Sequence, residues 1–138
     1  MTTMYQKIKK QRDEYKDLEI DVDPIYKINV INRVYPKECY AKSWDYMVFS
    51  SCPDRLTLVH GTCIILGGLP IGHGWIEIGD NIIFEGVYQR FYNKEKYYAA
   101  RGLVKLFEYT LAELRELSYE YKHKGPWKRD KGEGCFNF

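Results

Sequence analysis

The chain has 138 residues, 45% apolar and 29% charged, which is the balance of one globular domain and excludes a fibrous or disordered chain. Its net charge of +2, from 21 basic and 19 acidic residues, gives no electrostatic case for a specific nucleic-acid partner. No apolar run approaches the roughly 20 residues of a membrane-spanning helix, and the start "MTTMYQKIKKQR" lacks the apolar stretch of a secretory signal.

Residues 4–18 carry Tyr5, Ile8, Tyr15 and Leu18 at a weak helical spacing, which predicts a surface helix. Asp-Val-Asp-Pro at 21–24 stops it, because the residue before proline avoids helical geometry. Tyr26, Ile28 and Val30 alternate and predict a strand near 26–31, with a turn at 35–38. Cys39, Ser43, Tyr46 and Met47 share one helical face, and Trp44 and Phe49 are expected to fill the interior. This predicts a helix over 40–50 with Cys39 at its start and Cys52-Pro53 as its stop.

The apolar runs 56–68 and 68–78 read as strands, Gly79-Asp80-Asn81 as a tight turn, and 82–92 as a single strand running back. Residues 93–100 suggest a short helix. Thr110-Leu111-Ala112-Glu113 forms a capping box, with Tyr109 and Leu114 at the staple positions. The box divides a strand at 103–109 from a helix at 111–122 that ends near Gly125-Pro126. The expected fold class is α+β, an antiparallel sheet flanked by helices. It forms a single domain with a polar extension at 1–24, a core at 25–128 and a mobile tail at 129–138. The 13 tyrosines suit half-buried strands and contact surfaces.

Four cysteines, Cys39, Cys52, Cys63 and Cys135, are widely and irregularly spaced with no CxxC pair. Without a signal segment this reads as a cytoplasmic protein with reduced thiols. Cys39, Cys52, Cys63 and His73 lack the short chelating pairs of zinc sites, so no metal and no cofactor is expected.

Cys39, His73 and Glu85 carry the chemistry. A thiol reacts as thiolate, a form that the positive end of a helix favours. A histidine within reach takes the thiol proton and returns it to a leaving group, and a third group fixes the imidazole tautomer. Along the strand, His73, Trp75 and Glu77 share a face. A three-residue loop at Gly79-Asp80-Asn81, with Asn81 left-handed, places Glu85 on that face. A two-residue loop turns it away and leaves a Cys39–His73 dyad.

A cysteine at a helix start, a strand, then "HGWIE", then an acidic residue on the next strand resembles the transglutaminase-like branch of the papain-like cysteine hydrolase superfamily. The pattern C-Y-A-x-S-W … V-x-G … L-P-I-x-H-x-W … G-D-x-I-I-F-E, followed by a capped helix and "GPW", resembles small phage and bacterial proteins of that arrangement. The resemblance covers about residues 37–128, with Glu85 where aspartate is usual and Gly74 where alanine is common. It implies a papain-like core with the nucleophile at a helix N-terminus. It also implies a cysteine-dependent amide hydrolase or acyltransferase (protease, isopeptidase, deamidase or transglutaminase type) that works through a thioester. The substrate is then a peptide or protein amide, and the location the host cytoplasm if the protein is phage-encoded.

Each residue also has a plainer reading. Cys52 and Cys63 suit packing, Cys135 is incidental, His60 suits a strand end at the surface, and His123 a solvated tail. Trp75 and Trp44 are candidates for the substrate-binding wall or for core packing. Glu77 suits a solvent-facing or structural role, and Trp127 a cover for the core edge. A catalytically silent papain-like scaffold that binds a host protein is the other functional reading. Its contact surface would be the tyrosine-rich segment 88–98.

Overall fold

Helix α1 (Met4–Glu14) begins at Thr3, whose hydroxyl accepts from Gln6 N while the Gln6 side chain accepts from Thr3 N. This capping box supplies acceptors to two otherwise unmet backbone donors. The structure is a computed structural model that describes residues 2–65 and 68–127. Cys135 and the 129–138 tail lie outside the described residues. The N-terminal residues do more than extend the chain. Arg12 is buried and donates to Tyr88 O at 3.3 Å, and Ile8, Tyr15 and Leu18 pack against the core.

The strand expected at 26–31 does not form. Asp23 accepts from Ile25 N at 3.0 Å, and Pro24 opens a 3-10 turn at Pro24–Lys27. Tyr26 and Val30 pack against the core while Ile28 and Ile31 face outward. The nearby sheet edge is met by Glu19 and Ile20, through the Glu19–Tyr92 bridge and Ile20 N donating to Phe91 O. A short alternating pattern without a strand partner does not outweigh a capped turn.

Helix α2 (Cys39–Phe49) buries Cys39, Tyr40, Ser43, Tyr46 and Met47. Phe49 does not fill the interior. It sits in the last turn, 63% exposed. Strands β1 (Leu56–Ile64), β2 (Pro70–Ile78), β3 (Ile82–Glu85) and β4 (Arg90–Asn93) follow, then α3 (Lys94–Arg101), β5 (Val104–Tyr109) and α4 (Leu111–Tyr121). The single strand expected over 82–92 is a second hairpin, β3 and β4. Gln89 adopts φ 54° and its N–H donates to Glu85 O at 2.7 Å, which reverses the chain after Glu85. The Gln89 side chain donates to Gly86 O and accepts from Ile31 N, which explains why this residue tolerates a left-handed backbone.

The fold is α+β, with one antiparallel sheet in the order β4-β3-β2-β1-β5. Strand parity divides the core in two. On one face Leu58, Ile76, Ile78, Phe84, Phe91 and Tyr109 meet α2 and α4. On the other, Val59, Cys63, Trp75, Ile83 and Tyr92 meet α3 and the chain around α1. Thr110 accepts from Glu113 N at 3.2 Å, and Glu113 accepts from Thr110 N at 3.0 Å. Thr110→Ala should therefore cost about 1 kcal/mol. The result would be a lower urea midpoint at unchanged slope. An unchanged midpoint would mean that α4 does not depend on its cap. Among the described residues no helix is long and apolar enough to cross a membrane.

Candidate active site

Strand β2 has nine residues and β3 only four. Ile78 pairs with Ile82, so Gly79-Asp80-Asn81 is a three-residue loop. Its left-handed residue is Gly79 at φ 58°, not Asn81, because glycine takes that geometry without a Cβ penalty. The register continues through Glu77–Ile83 and Ile76–Phe84, which puts Glu85 on the face of His73 and Trp75.

The shortness of β3 also admits the cysteine. Helix α2 packs on Gly86, just past the end of β3, so closely that an added Cβ would stand 2.7 Å from Lys42 Cβ. The body of α2 lies on the Ile76 face, yet Cys39 at its first turn belongs to the cluster on the Trp75 face. The helix start thus reaches past β3, beside the part of β2 that β3 leaves uncovered. Glu38 makes no side-chain cap to the first-turn N–H groups. Ser43 Oγ donates to Cys39 O at 2.6 Å and ties down the first turn.

Cys39 and His73 are each 5% exposed and Glu85 is fully buried. His73 Nε2 lies 2.6 Å from Glu85 Oε2, and Cys39 stands close enough to His73 to act on its proton affinity. Burial alone would raise the Glu85 pKa. The His73 charge and hydrogen bond, the Arg101 charge and the Tyr97 hydroxyl outweigh it and hold the carboxyl below its ordinary 4.5. An ionised carboxylate only accepts, so His73 Nε2 is the donor and Nδ1 is the nitrogen left for Cys39. Burial would likewise lower the His73 pKa. The Glu85 charge and the hydrogen bonds to Cys39 and Glu85 prevail and hold it well above 6.5. Tyr97 Oη donates to Glu85 Oε2 at 3.0 Å and Val87 N to Oε1 at 3.4 Å.

Trp75 stacks beside His73 at 5.9 Å between ring centres and is fully buried, so it walls the imidazole from within the core. Trp44 is engaged elsewhere. Its Nε1 donates to Ser118 of α4 at 2.8 Å, and Lys124 lies over its ring. Glu77 is buried and structural, ion-paired at 3.0 Å with both Lys94 and Lys105 and accepting from Trp75 and Tyr98. His60 is not a surface residue. It is fully buried among Tyr40, Tyr109 and Trp127, and Trp127 covers that edge of the core.

Tyr88, Tyr92 and Tyr97 point inward and Tyr98 is half-buried, so most tyrosines of the 88–98 segment pack into the core. Tyr97 and Arg101 are functional candidates that the sequence reading missed. Their signal was the i, i+4 spacing on a helix capped by Asn93. Cys39, Cys52 and Cys63 are free thiols, and among the described residues no group of three or more His, Cys, Asp or Glu could hold a metal ion. Comparison of the chain with family models, with curated proteins and with solved structures returns no match.

Proposed function

We propose that the protein is a cysteine-dependent amide hydrolase or acyltransferase with Cys39 as nucleophile, His73 as general base and acid, and Glu85 as the orienting carboxylate. The observation that carries this reading is the buried His73–Glu85 pair, with Nε2 2.6 Å from the carboxylate, beside Cys39 at the start of α2. The likeness to the transglutaminase-like branch of the papain-like superfamily rests on the same order of helix-start cysteine, histidine strand and acidic strand. The five-stranded antiparallel sheet is compatible with it. The second reading, a silent scaffold contacting a host protein through 88–98, loses support because Tyr88, Tyr92 and Tyr97 are buried.

In the proposed reaction the thiol proton already rests on His73, whose raised pKa favours the charged form, and the Cys39 thiolate bonds to the amide carbonyl carbon. First-turn N–H groups of α2 stabilise the oxyanion. The C–N bond then breaks as His73 gives its proton to the leaving nitrogen, and a thioester remains. Water or an amine attacks the thioester, losing a proton to His73, which returns it to the departing sulfur. The low exposure of Cys39 and His73 keeps bulk water from screening these charges.

Iodoacetamide labelling, mapped cysteine by cysteine, tests this. Cys39 should react faster than Cys52, although Cys52 is the less buried thiol. His73→Ala should slow Cys39 about tenfold or more and leave Cys52 unchanged. A Cys39 no faster than Cys52, and indifferent to His73→Ala, would sink the proposal.

A further inference from the structure

Tyr97 and Arg101 lie one turn apart on α3, and both are buried. Arg101 Nη1 donates to Tyr97 Oη at 2.9 Å and to Tyr88 Oη at 3.0 Å, and Nη2 lies 3.6 Å from Cys63 Sγ. A guanidinium only donates, so the Tyr97 oxygen is the acceptor in that contact. The one phenolic proton of Tyr97 is then directed to Glu85 Oε2, 3.0 Å away. The same Oε2 accepts from His73 Nε2. The contacts therefore converge on one carboxylate: Arg101 donates to Tyr97, Tyr97 to Glu85, and His73 Nε2 to the same Glu85 oxygen, which leaves Nδ1 as the nitrogen for Cys39.

We propose that Arg101, acting through Tyr97, positions the thiol site by turning the Tyr97 proton onto Glu85, which keeps His73 in the Nε2–H form with Nδ1 facing Cys39. The inference rests on the thiol-site reading above. Neither α3 residue touches a reacting atom, so both are positioning residues. The cluster is also balanced in charge. Arg101 faces Glu85 across the Tyr97 hydroxyl, and passing the Cys39 proton to His73 creates a second opposite pair without changing the total.

The ionisable groups around Glu85 are His73 from β2, Tyr97 and Arg101 from α3, Tyr92 from β4 and Tyr88 from the 86–89 turn. Arg12 of α1 and Cys63 of β1 stand one contact further out. Among the described residues only Tyr97 and His73 donate side-chain protons to Glu85. That asymmetry supplies a control. Tyr97→Phe deletes the donor to Glu85 but keeps the ring and its 4.3 Å stack on Tyr92. Tyr88→Phe deletes the other hydroxyl on Arg101 and leaves the Glu85 contacts in place.

The experiment follows the Glu85 carboxyl carbon and the His73 ring nitrogens of the full chain by NMR against pH, in wild type and both variants. These signals report whether or not Cys39 reacts. In Tyr97→Phe the Glu85 carboxyl should titrate about one unit higher, a tenfold change in proton affinity, because the ionised form loses a donor. The acid limb of Cys39 labelling should move up with it. Tyr88→Phe should leave both in place. Equal shifts in the two variants, or no shift in either while both melt earlier, would reduce the cluster to core packing and overturn the proposal. A wild-type Cys39 that fails to label counts against the thiol-site reading, and the Glu85 titration still decides the positioning link.

Discussion

Glu85→Ala should lower the unfolding free energy by about 3–5 kcal/mol, the usual cost of removing one member of a buried charge pair. Glu85 is fully buried and answers His73 directly and Arg101 through Tyr97. Without it, His73 Nε2 and Tyr97 Oη lose their buried acceptor and the Arg101 guanidinium loses a countercharge. Glu85→Gln should cost less, because an amide oxygen can still accept from Tyr97, yet it should slow Cys39 labelling as much as alanine does. The two variants separate packing from charge.

The pH dependence carries a sign. Glu85 has a folded pKa below 4.5, so its stabilisation is present above that value and is lost as pH falls through the folded pKa. His73 has a folded pKa above 6.5, so its stabilisation is full below 6.5 and is lost as pH rises through the folded pKa. Urea unfolding across pH should therefore show both limbs in wild type and weaker ones in Glu85→Ala, whose remaining acid limb comes from the ion-paired Glu77. A wild-type profile flat through both regions would mean that the pair is not ionised.

Gly61→Ala should cost about 3 kcal/mol or more, among the largest effects expected from one added methyl group. Gly61 pairs with His73 across β1 and β2, at the point where β5 bulges against β1. A Cβ there would stand 1.9 Å from Val104 O and 3.1 Å from the Trp75 ring. The first obstacle is backbone and cannot rotate away, so either β5 detaches or the His73 region is pushed. Gly79→Ala is the comparison. Open space surrounds that position, and only its φ of 58° opposes a side chain, for about 1 kcal/mol. If the two variants unfold at the same urea concentration, the close approach of Val104 is not a constraint on the fold.

Much of the layout was legible because it is local. The Thr110–Glu113 box divided β5 from α4, and the spacing of Cys39, Ser43, Tyr46 and Met47 defined the buried face of α2. Helix α4 ends one residue earlier than expected, at Tyr121, because Lys122 adopts the left-handed cap. The failures were of another kind. Residues 26–31 alternate like a strand, but no sheet edge was offered to them. Residues 82–92 read as one strand because nothing local announces that Gln89 will be held left-handed by contacts to Gly86 and Ile31. His60 looked peripheral because the residues that enclose it, Tyr40, Tyr109 and Trp127, come from three distant parts of the chain.

The sequence by itself placed Cys39 at a helix start and His73, Trp75 and Glu77 on one face of a strand. Side-chain alternation and capping are set by neighbours within a few positions. It also narrowed the third member of the site to a choice between two loop lengths. Only the tertiary structure made that choice, through the pairing of Ile78 with Ile82, and brought Glu85 to 2.6 Å from His73. Only it set Tyr97 and Arg101 behind the carboxylate. Those contacts depend on how α3 packs across the sheet, and a packing angle is a property of whole elements that no short window of sequence contains.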